Sequence, residues 1–592
     1  MAEIYPLLIR VAGMGKLLFD NLLNITLKKD MRYLSIDFGT VLTKAAVYET
    51  TTNKLVLVQM NEDDGDDVGV RAHNISYEMP TAVFFDNNSQ KYKIGQEAVN
   101  NRGTDPDNFH SLFKPKLSEA QSEYYLKFVE EILRYVIVKA QKTIKPNNTF
   151  SKIVLTVPSS TIKGDNRWLN MEKAIINAVT QLEEQTQQQI IVRRSADSLA
   201  NYIEIIKEPE AASYSILKNT ISNYKNGDLF LVYDFGGGTF DPALLEYKNK
   251  TLRSIGEWNS DIPRGKNIGG IYIDELIKTN IIQSPNCKSF EETINYFSNF
   301  PLSETGQFIR PDSVSRREWR IMKNNLETLE TLSILAKHEF SNTDIDRFYK
   351  SEYDEYEYEL TREDYYDMIV SLIDDTIQCC SILLSDYGYS WKDIKEVFLI
   401  GGSSMIPLVR EKLEAKCQQE DASFTIPSMT SAYDYLHAVA LGAALYDTLK
   451  PTDKQRFDFG VDALKHQDWV EAEYQFTEGK SYYGLGLMEY EGLGRKKLFK
   501  KAYEMFSTHN EDPKCSFMQA LMLFKGEGVI KNDKQALEVV MKMLDDVNHA
   551  QDKTEAQSAL IKKGAILKSI LKGDGEPDDF ESIYDNNFYK IV

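Results

Sequence analysis

At 592 residues the chain is too long for one hydrophobic core and should divide into about three to five lobes. Apolar residues make up 42% and charged residues 27%, which excludes a wholly disordered chain and leaves material for several cores. The formal charge of −20 repels phosphodiester backbones and excludes a general nucleic-acid binder, so a phosphate ligand must be met locally by backbone amides, lysine or a metal.

The first 30 residues are apolar around Pro6–Ile9 and Leu17–Leu23, but Arg10, Lys16, Asp20 and Lys28–Lys29 interrupt them, so neither a membrane span nor a secretory signal is expected there. Met31 immediately precedes the first convincing strand, and residues 1–30 read as an N-terminal extension, either an added amphipathic helix or sequence upstream of the folded unit. Five cysteines, at 287, 379, 380, 417 and 515, form no CxxC pair or metal-ligand spacing, which suits a reducing compartment and predicts a cytoplasmic location.

Tyr33–Asp37 alternates up to Gly39, and Lys44–Glu49 alternates again: a strand, a tight turn and a strand. The grammar returns at Leu229–Tyr233, Asp234, Gly236-Gly237-Gly238-Thr239 and Pro242–Tyr247, with the two aspartates 197 residues apart, implying two related half-domains. Ile153–Val157 reads as a further strand and Asp165–Val179 as a helix, an α/β pattern. Polar stretches at Asn61–Asp67, Gln185–Gln189 and Ser284–Gly306 are expected as loops or insertions. A third strand, Val397–Ile400, breaks at Gly401-Gly402-Ser403-Ser404 and leads into a helix from about Pro407 to Lys416.

From about Pro451 strand patterns vanish. Leu487-Met-Glu-Tyr-Glu-Gly492-Leu-Gly494 matches Leu521-Met-Leu-Phe-Lys-Gly526-Glu-Gly528, and Lys501–Ala502 matches Gln535–Ala536, both at an offset of 34 residues that marks paired-helix repeats. The glycines would turn one helix into the next, and the alanines would let neighbouring helices approach. Acidic Asp574–Asp579 leads into the tail.

A single strand–glycine–strand hairpin is usually just a turn. Two in a repeated context, with a third glycine turn at 401–404, point to phosphate chemistry. Hydrolysing ATP requires neutralised phosphates, hard oxygen ligands for Mg²⁺ and a water in line, and glycine turns beside carboxylates are the parts required.

The order Asp37-Phe-Gly-Thr, Glu208-Pro-Glu-Ala-Ala, Asp234-Phe-Gly-Gly-Gly-Thr-Phe-Asp, Gly269-Gly-Ile-Tyr-Ile-Asp274 and Leu399-Ile-Gly-Gly-Ser-Ser-Met-Ile-Pro407 resembles the ATPase domain of the 70-kDa heat-shock chaperones over residues 31–450. The resemblance implies an α/β, duplicated actin-like (ribonuclease H-like) two-lobed ATPase fold, here followed by an all-α repeat domain. It implies Asp37 and Asp234 at the waters of Mg²⁺, and Gly39, Thr40, Gly236, Gly237, Gly238 and Thr239 at the phosphates of ATP or ADP. Glu208 and Asp241 would lie near the metal and the attacking water. Lys114 would position that water and the γ-phosphate, with Lys116 as the fallback and a solvated loop lysine as the plain alternative. Gly401, Gly402 and Ser403 would border the adenosine, faced by Lys337, His338 and Ser341, and K⁺ is a further cofactor that the resemblance allows.

The pattern also departs from that family. Val41 stands where a second threonine is usual, Ile271 and Ile334 replace glutamates, and Met405 replaces an arginine, so base and ribose contacts are thinner. Residues 451–572 resemble tetratricopeptide-like helix pairs of the Sel-one-like kind in place of a peptide-gripping β-sandwich, and 573–592 form an acidic tail. The expected function is a slowly ATP-hydrolysing, chaperone-like molecular switch that recruits a protein partner or client through the helical repeats, with no nucleic acid and no membrane span. The alternatives are a nucleotide-binding scaffold without useful turnover, a small-molecule kinase on the same fold, and a filament-forming relative.

Overall fold

The protein is described by a computed structural model over residues 31–60, 76–105, 108–118, 122–144, 148–159, 161, 163–193, 197–220, 224–248, 251–257, 268–298, 310–311, 313–342, 345–352, 356–426, 436–548 and 555–573. The expected N-terminal extension, the polar stretch Asn61–Asp67 and the tail beyond residue 573 lie outside these residues. The chain forms two compact units, one ending at Leu449 and the other beginning at Lys450.

Among the described residues the first unit carries nine strands before residue 210: β1 (Arg32–Phe38), β2 (Leu42–Glu49), β3 (Lys54–Leu57), β4 (Glu78–Pro80), β5 (Ala82–Asp86), β6 (Lys91–Ile94), β7 (Phe109–Ser111), β8 (Lys152–Val157) and β9 (Ile203–Lys207). Six more follow: β10 (Leu229–Phe235), β11 (Phe240–Lys248), β12 (Thr251–Glu257), β13 (Arg347–Glu352), β14 (Tyr356–Thr361) and β15 (Ile394–Ile400). One sheet has the order β3-β2-β1-β8-β9 with β4 paired to β2, and another has the order β12-β11-β10-β15. In each, a hairpin strand is antiparallel to its neighbour on one side and parallel to a later strand on the other: β1 to β2 and β8, β10 to β11 and β15. This is the duplication that the two Asp-ending hairpins foretell.

Side-chain alternation explains how the sheets stack. In β1, Leu34, Ile36 and Phe38 join one core, with helices Ser122–Thr143 and Asn166–Thr186 covering that face. In β10, Leu229, Leu231, Tyr233 and Phe235 join a second core, closed by Gly270–Gln283, Arg316–Asn342 and Arg362–Asp386. The opposite faces of both sheets, through Tyr33, Ala46 and Val154 on one side and Phe230, Val232, Ala243 and Phe398 on the other, share a third core. Two helices, Glu208–Thr220 and Ala438–Leu449, contribute the alanine-rich filling of that inter-sheet layer. Small residues there allow the helices to pack closely between the sheets.

The helix Arg362–Asp386 is long and apolar enough to cross a membrane by length and composition, but Ile369, Leu372, Ile373 and Leu383 sit in the second core, which accounts for its apolarity. The helix from Asn166 runs through the start of the expected loop at Gln185–Gln189 and ends only at Thr186, where Gln187 turns left-handed. The expected loop at Ser284–Gly306 is corrected over its middle: Lys288–Phe297 is a helix, because Phe290, Thr293 and Phe297 recur on one buried face. Its last residues, 299–306, lie outside the described residues.

The described part of the second unit consists of helices Asp453–Lys465, Trp469–Glu478, Tyr482–Glu491, Phe499–Thr508, Pro513–Lys525, Asp533–Asn548 and Glu555–Lys572. Gly492 (φ 72°) and Gly526 (φ 75°) end corresponding helices in the left-handed conformation that glycine adopts without strain. Ala502 and Ala536 are fully buried, and the methionine and aromatic stripes, among them Tyr483, Phe506, Met518 and Met543, are core between helices.

Candidate active site

The inter-sheet face of β1 reads Tyr33, Ser35, Asp37, and that of β10 reads Phe230, Val232, Asp234, so each strand stays on this face until its end and finishes on a carboxylate. The apolar layer therefore stops and a cavity of about 790 Å³ opens, a volume typical of small-molecule sites. Around it stand Asp37 and Asp234, the turns Gly39–Thr40 and Gly236–Thr239, Lys114 and Glu208. Its other end is bounded by Gly401, Gly402 and Ser403 and by Lys337, His338 and Ser341. Asp241 is buried behind the lining, directly opposite Asp234 in the β10–β11 register. Lys116 is not part of the lining.

The two phosphate-type turns face each other at close range. A Cβ on Gly237 would lie 2.5 Å from Val41 Cγ2, and one on Gly238 would lie 2.8 Å from Thr40 Oγ1, so any larger residue here must push the facing side chains aside. Gly270 N–H and Ile271 N–H donate to the carbonyls of Gly236 and Gly237 at 3.0 and 2.8 Å, which fixes the glycine turn against the start of the helix Gly270–Gln283. Ser403 Oγ donates to the Gly236 carbonyl at 3.0 Å and ties in the third turn.

Lys114 Nζ donates to Glu208 Oε1 at 2.8 Å. Burial raises the Glu208 pKa, and the neighbouring Asp37 and Asp241 charges add to that rise while Lys114 opposes it. Asp234 is pushed well above the ordinary carboxylate value, first by burial and then by Glu208, Asp241 and Asp37. Thr156 Oγ1 donates to Asp37 Oδ1 at 3.2 Å, and Ser159 Oγ to Asp241 Oδ1 at 3.1 Å, the latter joining the two halves at the cleft floor. At the other end Lys337 Nζ is held by Asp274 Oδ2 at 2.7 Å and the Gly270 carbonyl at 2.9 Å, and Ser341 Oγ donates to the Lys337 carbonyl at 2.7 Å. Val41, Ile271, Ile334 and Met405 line the cavity too, giving it an apolar wall.

Sequence reasoning missed Lys44 and Glu78. Lys44 lies opposite Asp37 in the β1–β2 register and opposite Glu78 in the β2–β4 register, with its Nζ 3.4 Å from Asp37 Oδ2. Burial works against its charge, but Asp37, Glu78 and Asp234 outweigh that effect and raise its pKa. The signal was present in the hairpin parity, since Ala46 and Tyr48 on the same face are core residues.

Asp37, Glu208, Asp234 and Asp241 outnumber Lys44 and Lys114, so a divalent cation fits the charge of the site. Among the described residues no three His, Cys, Asp or Glu side chains form a cluster that could ligate an ion directly.

The family described as Hsp70 protein matches residues 311–460. The chaperone protein HscA of Buchnera aphidicola is 25% identical over 422 residues, covering 70% of this chain and 58% of its own length. The mitochondrial iron-sulfur cluster biogenesis chaperone of Saccharomyces cerevisiae is 24% identical over 435 residues, covering 70% of this chain and 59% of its own. An HscA homolog of Shewanella baltica is 24% identical over 328 residues, 55% of this chain and 42% of that one. The chain thus spans less than two thirds of the length of these relatives. The duplicated sheets and paired glycine turns are those of an actin-like two-lobed fold, and in this the chain is similar to the Hsp70-type chaperones.

Proposed function

We propose that the first unit binds Mg²⁺ with ATP or ADP and hydrolyses ATP slowly, as the nucleotide-sensing part of a chaperone-like switch. The observation that carries this reading is the convergence of two glycine turns, from the two halves of a duplicated fold, on one cavity that also holds Asp37, Asp234 and the Lys114–Glu208 pair. In the proposed arrangement Asp37 and Asp234 orient the waters of the metal, and Gly39, Thr40 and Gly236–Thr239 offer amides and hydroxyls to phosphate. Glu208 and Asp241 bias the attacking water, Lys114 positions it, and the Gly401–Ser403 turn with Lys337, His338 and Ser341 borders the nucleoside. Residues 31–450 are the proposed nucleotide-binding domain and 451–572 a Sel-one-like repeat array that binds a protein partner or client; K⁺ is a proposed second ion. A cytoplasmic setting suits the five free cysteines.

The test is thermal unfolding with and without Mg-ATP in wild type and Asp234→Ala, followed by phosphate release on the same samples. Ligand at 100 times its dissociation constant stabilises by about 2.7 kcal/mol. A shift in wild type only, with slow phosphate release, supports the switch, and no shift in wild type overturns nucleotide binding. The apolar wall of Val41, Ile271, Ile334 and Met405 favours one second reading, a nucleotide-stabilised scaffold, which predicts the shift without phosphate release.

A further inference from the structure

The two halves of the fold place opposite charges at equivalent positions. In one hairpin the residue opposite the strand-end aspartate is Lys44, facing Asp37; in the other it is Asp241, facing Asp234. The hairpins share their register logic and their inter-sheet face, so Lys44 and Asp241 are structural counterparts. One half-site is thus a neutral acid–base pair and the other a doubled acid.

Lys44 is only 9% exposed, yet it lines the cavity with Asp37, Glu78, Asp234 and the Gly236–Thr239 turn. Its strand neighbours on both sides, Asp37 and Glu78, are acidic. A 3.4 Å separation from Asp37 Oδ2 is a loose ion pair that leaves donors of the ammonium for another partner. An ammonium on a flexible stem can serve as a point charge for phosphate.

We propose that Lys44 is a built-in cation of the nucleotide site: it balances Asp37 when the cleft is empty and donates to phosphate oxygens when a nucleoside diphosphate enters. It would add positive charge to the phosphates beside whatever charge a bound metal supplies. Nucleotide binding in this chain therefore survives removal of divalent metal to a degree set by Lys44. The inference rests on the nucleotide-binding reading above.

The experiment measures ADP dissociation constants by calorimetry on the full chain, with Mg²⁺ and with EDTA, for wild type, Lys44→Met and Lys44→Arg. The expected result is that wild type keeps ADP binding in EDTA within about tenfold of its Mg²⁺ value, and that Lys44→Met weakens binding at least tenfold more in EDTA than in Mg²⁺. Lys44→Arg, which keeps the charge, retains most of the metal-free binding. A loss in Lys44→Met that is equal in both media overturns the proposal, because a purely structural defect does not distinguish them. Failure of wild type to bind ADP in EDTA while binding it in Mg²⁺ overturns it as well. Absence of ADP binding in wild type under both conditions instead overturns the nucleotide site itself. Should Lys44→Met not fold, Lys44→Arg and a salt series on wild type in EDTA decide: metal-free affinity that is insensitive to the side chain and to salt refutes the tethered charge.

Discussion

Removing Lys114 leaves Glu208 buried without its counter-ion, and the size of that penalty follows from the site. Lys114 and Glu208 side chains are 6% and 13% exposed and 2.8 Å apart. Breaking such a pair typically costs about 3–5 kcal/mol when the survivor must stay charged. Glu208 has an alternative, since its pKa is already raised by burial and by Asp37 and Asp241: it can take up a proton. Holding a glutamate neutral costs about 1.36 kcal/mol for each pH unit above its unfolded value near 4.3. The Glu208 share of the loss in Lys114→Met is therefore at most about 3.7 kcal/mol at pH 7 and about 1 kcal/mol at pH 5. Native-state hydrogen exchange of the β1 and β8 amides in nucleotide-free protein reads this opening free energy within the first unit. The loss should shrink by up to about 2.7 kcal/mol between pH 7 and pH 5, and Glu208→Gln in the same chain should recover most of it. A loss independent of pH, or no recovery in the double variant, would show that packing around residue 114 and not the stranded carboxylate sets the penalty.

Three further perturbations follow from the same geometry. Because the folded Asp234 pKa lies above its ordinary value of 3.8, the empty protein binds that proton more tightly than the unfolded chain and loses stability as pH rises through the window above 3.8; Asp234→Asn should therefore gain on wild type in unfolding midpoint from about pH 4 to about pH 7, and a constant difference would refute this. Arg102 joins Glu327, at 3.2 Å, and Glu330 on the helix Arg316–Asn342 of the other half, so Arg102→Ala, losing about 1 kcal/mol or less, should speed release of a fluorescent nucleotide by up to about fivefold in stopped flow. Gly442→Ala would put a Cβ 1.8 Å from the Ala211 carbonyl, a backbone clash that no rotamer relieves, and should lower stability by about 3 kcal/mol or more in denaturant titration while weakening nucleotide binding through displacement of Glu208.

Much of the fold was legible in the residues because the signals were local. The duplicated Asp-ending hairpins are visible as alternation followed by glycine, and their equivalence appears in the sheets as β1-β2-β8 and β10-β11-β15 pairings. That the second unit is helical was legible from its apolar spacing, and Gly492 and Gly526, which the sequence placed at turns, each end a helix. What escaped was non-local. Lysine in a strand reads as solvent-facing, and only the packing of a second sheet over that face turns Lys44 inward among Asp37, Glu78 and Asp234. The helix Lys288–Phe297 was hidden by polar residues that occupy its outer face.

The end of the inter-sheet core explains why a cleft exists at this point at all. Along β1 and β10 the shared face stays inside the fold through Ser35 and Val232, and the next residue on each is Asp37 and Asp234. Closing the sheets further over this level would complete the desolvation of those carboxylates together with Glu208 and Asp241, with Lys44 and Lys114 as the lysines that oppose their charge and Arg167 and Lys337 as further cations of the lining. Buried like charges of that number are too costly to close on without added cations. Closure of the two halves is, on the proposed reading, tied to charge brought from outside. On the proposed reading, Mg²⁺ with a triphosphate and Mg²⁺ with a diphosphate bring different charges to the same carboxylates and the same two lysines, so hydrolysis changes the closing free energy without any change in the protein's own residues. The helix Glu208–Thr220 begins at one of those carboxylates and packs against Ala438–Leu449 in the layer between the sheets, so on the proposed reading the element that would sense the charge is also an element of the layer that joins the halves.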